Sequence, residues 1–225
     1  MKQKEATSNR KKIPWSTKAA MTQVYELNLW GDHTSDFYSG QGSHHPDLVN
    51  PYVEVVTSFL RSFERPLVVC DLGCGDFNVG HQLVPYTEKY IGVDIVSDLI
   101  DRNRAKFQDK KLEFHCLDVS VDHLPSADCA ILRQVLQHVS NAEVQMIVNR
   151  LNMYKYVILT EHLPDGDFIP NKDIISGQGI RVKKQSGIDV MAPPFNLKVK
   201  EEKQLVSVNL NDNKGVIITT VYKMF

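Results

Sequence analysis

The sequence predicts an α/β fold, a mostly parallel sheet covered by helices and closed by an antiparallel hairpin, and three observations predict it. From residue 50 onward, short apolar runs alternate with stretches of helical spacing, the pattern of parallel strands joined by crossover helices. The first apolar run, Leu67-Val68-Val69-Cys70-Asp71-Leu72, is almost uninterrupted, as strands buried on both faces are. The last two β-like runs, residues 204–210 and 216–222, are joined by Asn211-Asp212-Asn213-Lys214-Gly215, a turn-forming set that makes them a hairpin.

Taken in order, residues 50–63 set Tyr52, Val55, Val56, Phe59, Leu60 and Phe63 at helical spacing, with Asn50 as the cap and Pro51 as the first helical residue. The strand over 67–72 follows and ends in a glycine turn. A short helix is expected over 77–84, a second strand over 90–95, and then a helix capped by Ser97 that carries Leu99, Ile100 and Phe107. A third strand covers 112–117 and stops at Asp118, and a fourth covers 127–132. Asn141 is expected to cap a helix whose Val144, Ile147, Val148 and Leu151 form one face. A fifth strand covers 156–160. After Glu161 the periodicity stops for roughly forty residues, and irregular segments of that length are usually functional or disordered.

A chain of 225 residues buries a full core and is most simply one domain with decorations. Its 26 Lys+Arg nearly cancel its 27 Asp+Glu, so no global field draws it to nucleic acid or an anionic membrane. Residues 2–12 are polar and basic without an apolar core, a loose tail and not a secretory signal. No apolar stretch is long enough to span a membrane. The cysteines Cys70, Cys74, Cys116 and Cys129 lack CxxC spacing and sit in or beside strand-like runs, so buried thiols in a reducing compartment are expected and the protein is placed in the cytoplasm.

Ligands of open α/β sheets bind beyond the carboxyl ends of the strands, and here the first three strands end at Asp71-Leu72-Gly73, Asp94 and Asp118. Gly73 and Gly75 let the backbone turn sharply and approach a ligand, and the start of the next helix is expected to offer unpaired N–H groups. Asp94 is placed to accept from two ribose hydroxyls, and Asp118 to meet an adenine amine with Val119 against the ring. A dinucleotide fingerprint would need a third glycine where Asn78 stands, and Asp71 and Asp76 flanking the turn would repel a pyrophosphate while suiting a cationic ligand. A nicotinamide oxidoreductase is therefore disfavoured. A non-catalytic domain of the same fold stays open, although such a domain has no need of the glycines and three strand-end acids.

Val69-Cys70-Asp71-Leu72-Gly73-Cys74-Gly75 followed by Gly92-Val93-Asp94 resembles motifs I and II of class I S-adenosyl-L-methionine (SAM)-dependent methyltransferases. Cys116-Leu117-Asp118-Val119 resembles the family's third-strand motif, and the stretch from Asp128 to Val139 its fourth. The resemblance runs from about residue 67 to 161. It implies a three-layer αβα sandwich with seven strands and methyl transfer from SAM. Asp71, Gly73, Cys74 and Gly75 would then lie near the methionine part, Asp94 and Ile95 at the ribose, and Asp118 and Val119 at the adenine. Cys74 stands where small residues are usual in the family.

Upstream, Trp30-Gly31 and Phe37-Tyr38-Ser39-Gly40-Gln41-Gly42-Ser43 resemble the N-terminal lid of some small methyltransferases. Ser39 and Gly40 are expected to grip a carboxylate, with Trp30 or Tyr38 covering the sulfonium by cation–π attraction. An ordinary surface loop is the competing expectation. Arg133 and Gln134, directly after the fourth strand, are expected to line the site. His138 is the candidate acid/base residue, because imidazole accepts a proton near neutral pH, and Glu161 with His162 is the second pair expected at the substrate. His44-His45 has no third metal ligand at a recognisable spacing. The division expected is a tail and lid over 1–45 and a methyltransferase domain over 46–225, with a substrate-capping insertion at about 163–202. Arg181, Lys183 and Lys184 in that insertion either meet an acidic substrate or form a solvated face. The acceptor is expected to be a small molecule, and the sequence fixes neither its reacting atom nor an oligomeric state.

Overall fold

A computed structural model describes residues 14–31, 36–210 and 214–225; the basic tail over 2–12 and Asn211-Asp212-Asn213 of the hairpin turn lie outside the described residues. Seven strands, β1 (Val68–Leu72), β2 (Lys89–Asp94), β3 (Leu112–Cys116), β4 (Cys129–Arg133), β5 (Tyr156–Leu163), β6 (Glu201–Asn209) and β7 (Val216–Lys223), form one sheet in the order β3-β2-β1-β4-β5-β7-β6. The first five are parallel, and β7 runs antiparallel to both β5 and β6. The described helices are α1 (Thr17–Glu26), α2 (Gln41–His44), α3 (Pro46–Arg61), α4 (Ser97–Lys106) and α5 (Asn141–Leu151).

Two apolar layers sandwich the sheet. On one face α3 buries Val49, Tyr52, Val56 and Leu60 against Val69, Ile131 and Ile158. On the other α5 buries Val144, Ile147, Val148 and Leu151 against Cys70, Leu132 and Val157. Full burial of each such aliphatic side chain contributes ~1.5–3 kcal/mol relative to exposure. The same second layer takes in Ile188, Val190, Phe195 and Leu197, so the 188–197 stretch of the long irregular segment is anchored to the core by these four side chains. Asn171 fastens that stretch, its Nδ2 donating to the carbonyls of Asp189 and Pro193 and its Oδ1 accepting from Asp189 N.

Several local expectations are corrected. α3 begins one turn before Asn50: Pro46 takes the first position, His45 caps with Nδ1 accepting from Asp47 N at 3.3 Å, and Pro51 lies inside the helix. α5 is capped by Ser140 and not Asn141, through a capping box in which Ser140 Oγ accepts from Glu143 N and Glu143 accepts from Ser140 N. Ser97 makes no cap; Val96 precedes α4, and Asp94 Oδ1 accepts from Val96 N at 3.1 Å. The helix expected over 77–84 is two 3-10 turns, Gly80–Gln82 and Val84–Tyr86. Pro85 lacks an N–H and disfavours α geometry at Val84, while Phe77 sits at φ +62°. No α-helix therefore starts at the glycine turn, and the helix-start N–H groups expected there are absent.

Candidate active site

The strand order reverses between β1 and β4, and beyond the carboxyl ends of these parallel strands lies a cavity of about 450 Å³. Asp71, Gly73, Cys74, Gly75, Asp94, Ile95, Asp118, Val119, Arg133, Gln134 and His138 line it, with Trp30, Ser39 and Gly40 on its covering side. The residues expected at a cofactor thus converge on one space. Glu161 and His162 lie outside its lining.

The floor is the glycine turn. Gly73 at φ +88° and Gly75 at φ +55° let the chain leave β1 with Gly73 N donating to Val93 O at 2.8 Å and Gly75 N donating to Asp94 Oδ2 at 3.1 Å. Asp94 thereby has one oxygen on the turn and the other on Val96 N, which fixes its carboxylate at the end of β2. Burial nevertheless raises its pKa, against those backbone donors. Asp118 folds into a local turn, its Oδ1 accepting from Ser120 N at 2.9 Å and Ser120 Oγ at 2.6 Å.

Asp71 and Asp76 differ more than their shared charge suggests. Asp71 is buried at the root of the turn and accepts from Tyr90 Oη at 2.8 Å, and burial pushes its pKa up to about 7 despite that bond and Arg133. A cation entering the cavity would draw it back to the ionised form. Asp76 is already engaged: its Oδ2 accepts from Ser39 N at 2.9 Å and pairs with His44 Nε2 at 2.5 Å, and its Oδ1 accepts from Asn78 N. The double histidine therefore has a structural use that its spacing did not suggest. Asn78, in place of a third glycine, donates from Nδ2 to Ser43 O at 2.7 Å and ties α2 to the turn.

Arg133 supplies the opposite charge. Its guanidinium stacks over the Tyr52 ring at 4.8 Å and donates from Nη2 to Gly42 O at 2.6 Å, and its Nε has no partner among the described residues. Among the described residues no carboxylate lies within ion-pair distance of it, and burial lowers its pKa. Asp71 and Asp76 act on it only through space, without a direct ion pair, and a desolvated guanidinium with a free N–H at a cavity wall favours an anionic ligand group. Next to it Gln134 adopts φ +57°, a strained conformation for a residue with a side chain, with its N donating to Thr160 O at 2.7 Å.

The cover was only partly expected. α1 contributes Thr17, Met21 and Tyr25 to the lining, and Trp30 packs edge-on against Tyr25 at 5.3 Å and 5.2 Å from the His138 ring. Ser39 Oγ accepts from Asp76 N at 2.8 Å and meets Tyr25 Oη at 3.0 Å. Tyr38 is buried against His44 at 4.5 Å and is not part of the lining, so of the two aromatics proposed for a cation only Trp30 reaches the cavity. The signal for α1 was present in Ser16 as a cap and in Met21, Val24 and Tyr25 at helical spacing.

His138 lines the cavity with both nitrogens occupied: Nδ1 donates to Gly177 O at 3.2 Å, and Gln137 Nε2 donates to His138 Nε2 at 3.2 Å. Burial pushes its pKa down to about 4, so the ring is neutral at pH 7. Glu161 lies within β5, since pairing with β7 carries that strand on to Leu163. Its Oε1 accepts from Leu136 N at 3.1 Å, its Oε2 is buried without a partner among the described residues, and burial pushes its pKa up to about 8. His162 Nε2 donates to Lys214 O at 2.6 Å, away from the cavity. Arg181, expected at a substrate or in solvent, is buried and donates to the carbonyls of Leu136, Val139 and Lys172 and to Asn141 Oδ1. Lys184 Nζ donates to Asp173 O at 2.8 Å, and Lys183 lines the cavity.

Residues 70–154 match the family model described as a methyltransferase domain. No curated protein matches the sequence. Among solved structures, the N-methyltransferase NodS of Bradyrhizobium japonicum WM9, in complex with S-adenosyl-L-homocysteine (SAH), aligns at TM-score 0.64 and 11% identity over 91% of this chain and 98% of that one. The magnesium protoporphyrin IX methyltransferase of Synechocystis PCC 6803, with bound SAM, aligns at TM-score 0.58 and 15% identity over 95% and 100%. Human N-acetylserotonin methyltransferase, in complex with SAM, aligns at TM-score 0.53 and 16% identity over 81% of this chain, which spans 55% of that protein. At these identities the likeness is one of fold.

Proposed function

We propose, from a fold shared with SAM- and SAH-bound methyltransferases and a methyltransferase-domain pattern over residues 70–154, that this chain transfers a methyl group from SAM to a small-molecule acceptor. The observation that carries this reading is the chemistry of the cavity lining, which combines the acids Asp71, Asp76, Asp94 and Asp118 with the buried guanidinium of Arg133, in no ion pair among the described residues. SAM carries groups that match these residues: a carboxylate for Arg133, a sulfonium and an ammonium for the acidic turn, and ribose hydroxyls for Asp94. Asp118 and Val119 would take the adenine, and Trp30 would face the sulfonium with its ring, an attraction of roughly 0.5–2 kcal/mol.

Bound SAM supplies an electrophilic methyl group, so what this chain must supply is alignment and exclusion of water. No protein base is required where the acceptor presents a lone pair. His138, tied to Gly177 and Gln137, acts in this reading by fixing Trp30 and the 136–139 loop. The near balance of charge, 26 against 27, supports a small acceptor over a nucleic-acid backbone.

Titration calorimetry with SAM tests the first step, and failure to bind at millimolar concentration would sink the reading. Two substitutions divide the ligand. Asp94→Ala is expected to weaken SAM and adenosine alike, by ~1–3 kcal/mol, through loss of charge-assisted hydrogen bonds. Arg133→Met is expected to weaken SAM and SAH about 10- to 100-fold and leave adenosine, which has no carboxylate, nearly unchanged. Equal losses for adenosine and SAM in Arg133→Met would remove the carboxylate assignment. Profiling of small metabolites that take label from methyl-labelled SAM tests the transfer and its acceptor class.

A further inference from the structure

Two segments far apart in sequence cover the cavity: α1 through Thr17, Met21 and Tyr25, and the irregular segment through Gln178, Gly179 and Ile180. Both end on one carboxylate. Glu143, in the first turn of α5, accepts from Thr17 Oγ1 on its Oε1 and from Ser176 Oγ on its Oε2. These donors come from 126 and 33 residues away. Ser140 adds Oγ at 2.6 Å and N at 3.2 Å to the same Oε2, and Ser140 N also donates to Ser176 Oγ at 2.8 Å.

The capping box of α5 accounts for the bond from Ser140 N to Glu143 and for neither of the long-range hydroxyls. A glutamine at this position would cap as well, so the box does not require a charge. The two long-range hydroxyls do profit from one, because hydrogen bonds to an ionised acceptor are roughly twice as strong as neutral ones. Burial raises the Glu143 pKa, and the hydroxyls of Ser140, Ser176 and Thr17 outweigh it and hold the group below the ordinary carboxylate range. A further bond joins the covers directly, from Gln178 Nε2 to Leu29 O beyond α1.

We propose that Glu143 is a positioning residue that latches the two covers, α1 by Thr17 and the 176–180 segment by Ser176, so that they open and close as a unit when the cofactor exchanges. The cofactor part rests on the function proposed above; the latch itself rests on the contacts alone. Thr17→Val and Ser176→Ala each remove one hydroxyl and keep the capping box, and Glu143→Gln keeps the box while removing the charge. In the ligand-free protein, amide hydrogen exchange is expected to rise about tenfold across the opposite cover as well as the substituted one, the factor for losing one hydrogen bond to a charged acceptor. In stopped-flow experiments SAH release is expected to quicken by about the same factor in all three variants. Faster exchange confined to the substituted cover, or an unchanged release rate, would overturn the latch. The exchange measurement needs no ligand, so it decides the latch even if SAH fails to bind, an outcome that would sink the proposed function instead.

Discussion

Glu161→Gln is expected to melt below the wild-type protein near pH 5 and above it near pH 9, so that the two stability curves cross. In the folded protein the Glu161 pKa is raised from 4.5 to about 8, chiefly by burial, with Leu136 N and Arg181 pulling the other way. Between those two values the folded state holds a proton that the unfolded state has released, and stability then falls as pH rises, at ~1.4 kcal/mol per unit. The contribution is fully present below about 4.5 and lost as pH passes about 8. Relaxation around the charge reduces the total to a few kcal/mol. Glutamine keeps the oxygen that accepts from Leu136 N but sets an amide donor where Oε2 has no partner, at ~1–3 kcal/mol independent of pH. Asp71, raised from 3.8 to about 7, tilts both proteins in the same direction and cancels from their difference. Thermal melts from pH 5 to 9 check this; parallel curves would mean that Glu161 is ionised throughout.

That experiment also concerns a residue that the sequence misplaced, for a reason that is instructive. Glu161 and His162 follow an apolar run and were expected at the rim of the site. The end of β5 is set by β7, where His162 pairs with Ile217 and Leu163 with Val216, and this pairing carries both residues past the cavity. A register between segments more than fifty residues apart leaves no trace in the local pattern. Arg181 is a similar case: it stands in a polar stretch, and its partners are carbonyls of the 136–139 loop. Asp71 and Asp94 were legible because each belongs to the same short apolar run as its strand, β1 or β2, so no long-range information is needed to place them. Start positions of helices shifted by a residue or a turn where two capping candidates compete, as Pro46 with Pro51 and Ser140 with Asn141. α1 was missed because only Val24 and Tyr25 of its ten residues are buried, and its inner side faces a cavity, where apolar spacing is thin.

Gly73→Ala is expected to abolish most SAM binding, a loss of about 100-fold, while leaving a folded protein. At φ +88° an L residue is strained, at ~1–3 kcal/mol. Space is also lacking: a Cβ at this position would lie 2.5 Å from Val135 Cγ2 and 3.3 Å from Cγ1. Valine is stiff at χ1, and Val135 leads into the loop that holds Gln137 and His138, so the strain moves the cavity wall instead of one rotamer. The turn's backbone bond from Gly73 N to Val93 O then shifts with it, and Gly75 N loses its aim at Asp94. Gly92→Ala is the control that separates binding from stability. Its Cβ would stand 2.7 Å from the Phe114 ring, outside the cavity lining, and only 3.3 Å from Cys74 Sγ, so the severe clash falls within the sheet and the contact with the turn is slight. It is expected to lower the melting temperature at least as much as Gly73→Ala and to bind SAM within a few-fold of wild type. Calorimetry on both variants, at a temperature where each is folded, reads the difference. Equal losses of affinity in the two would reduce the glycine turn to a contributor to stability and detach it from the ligand.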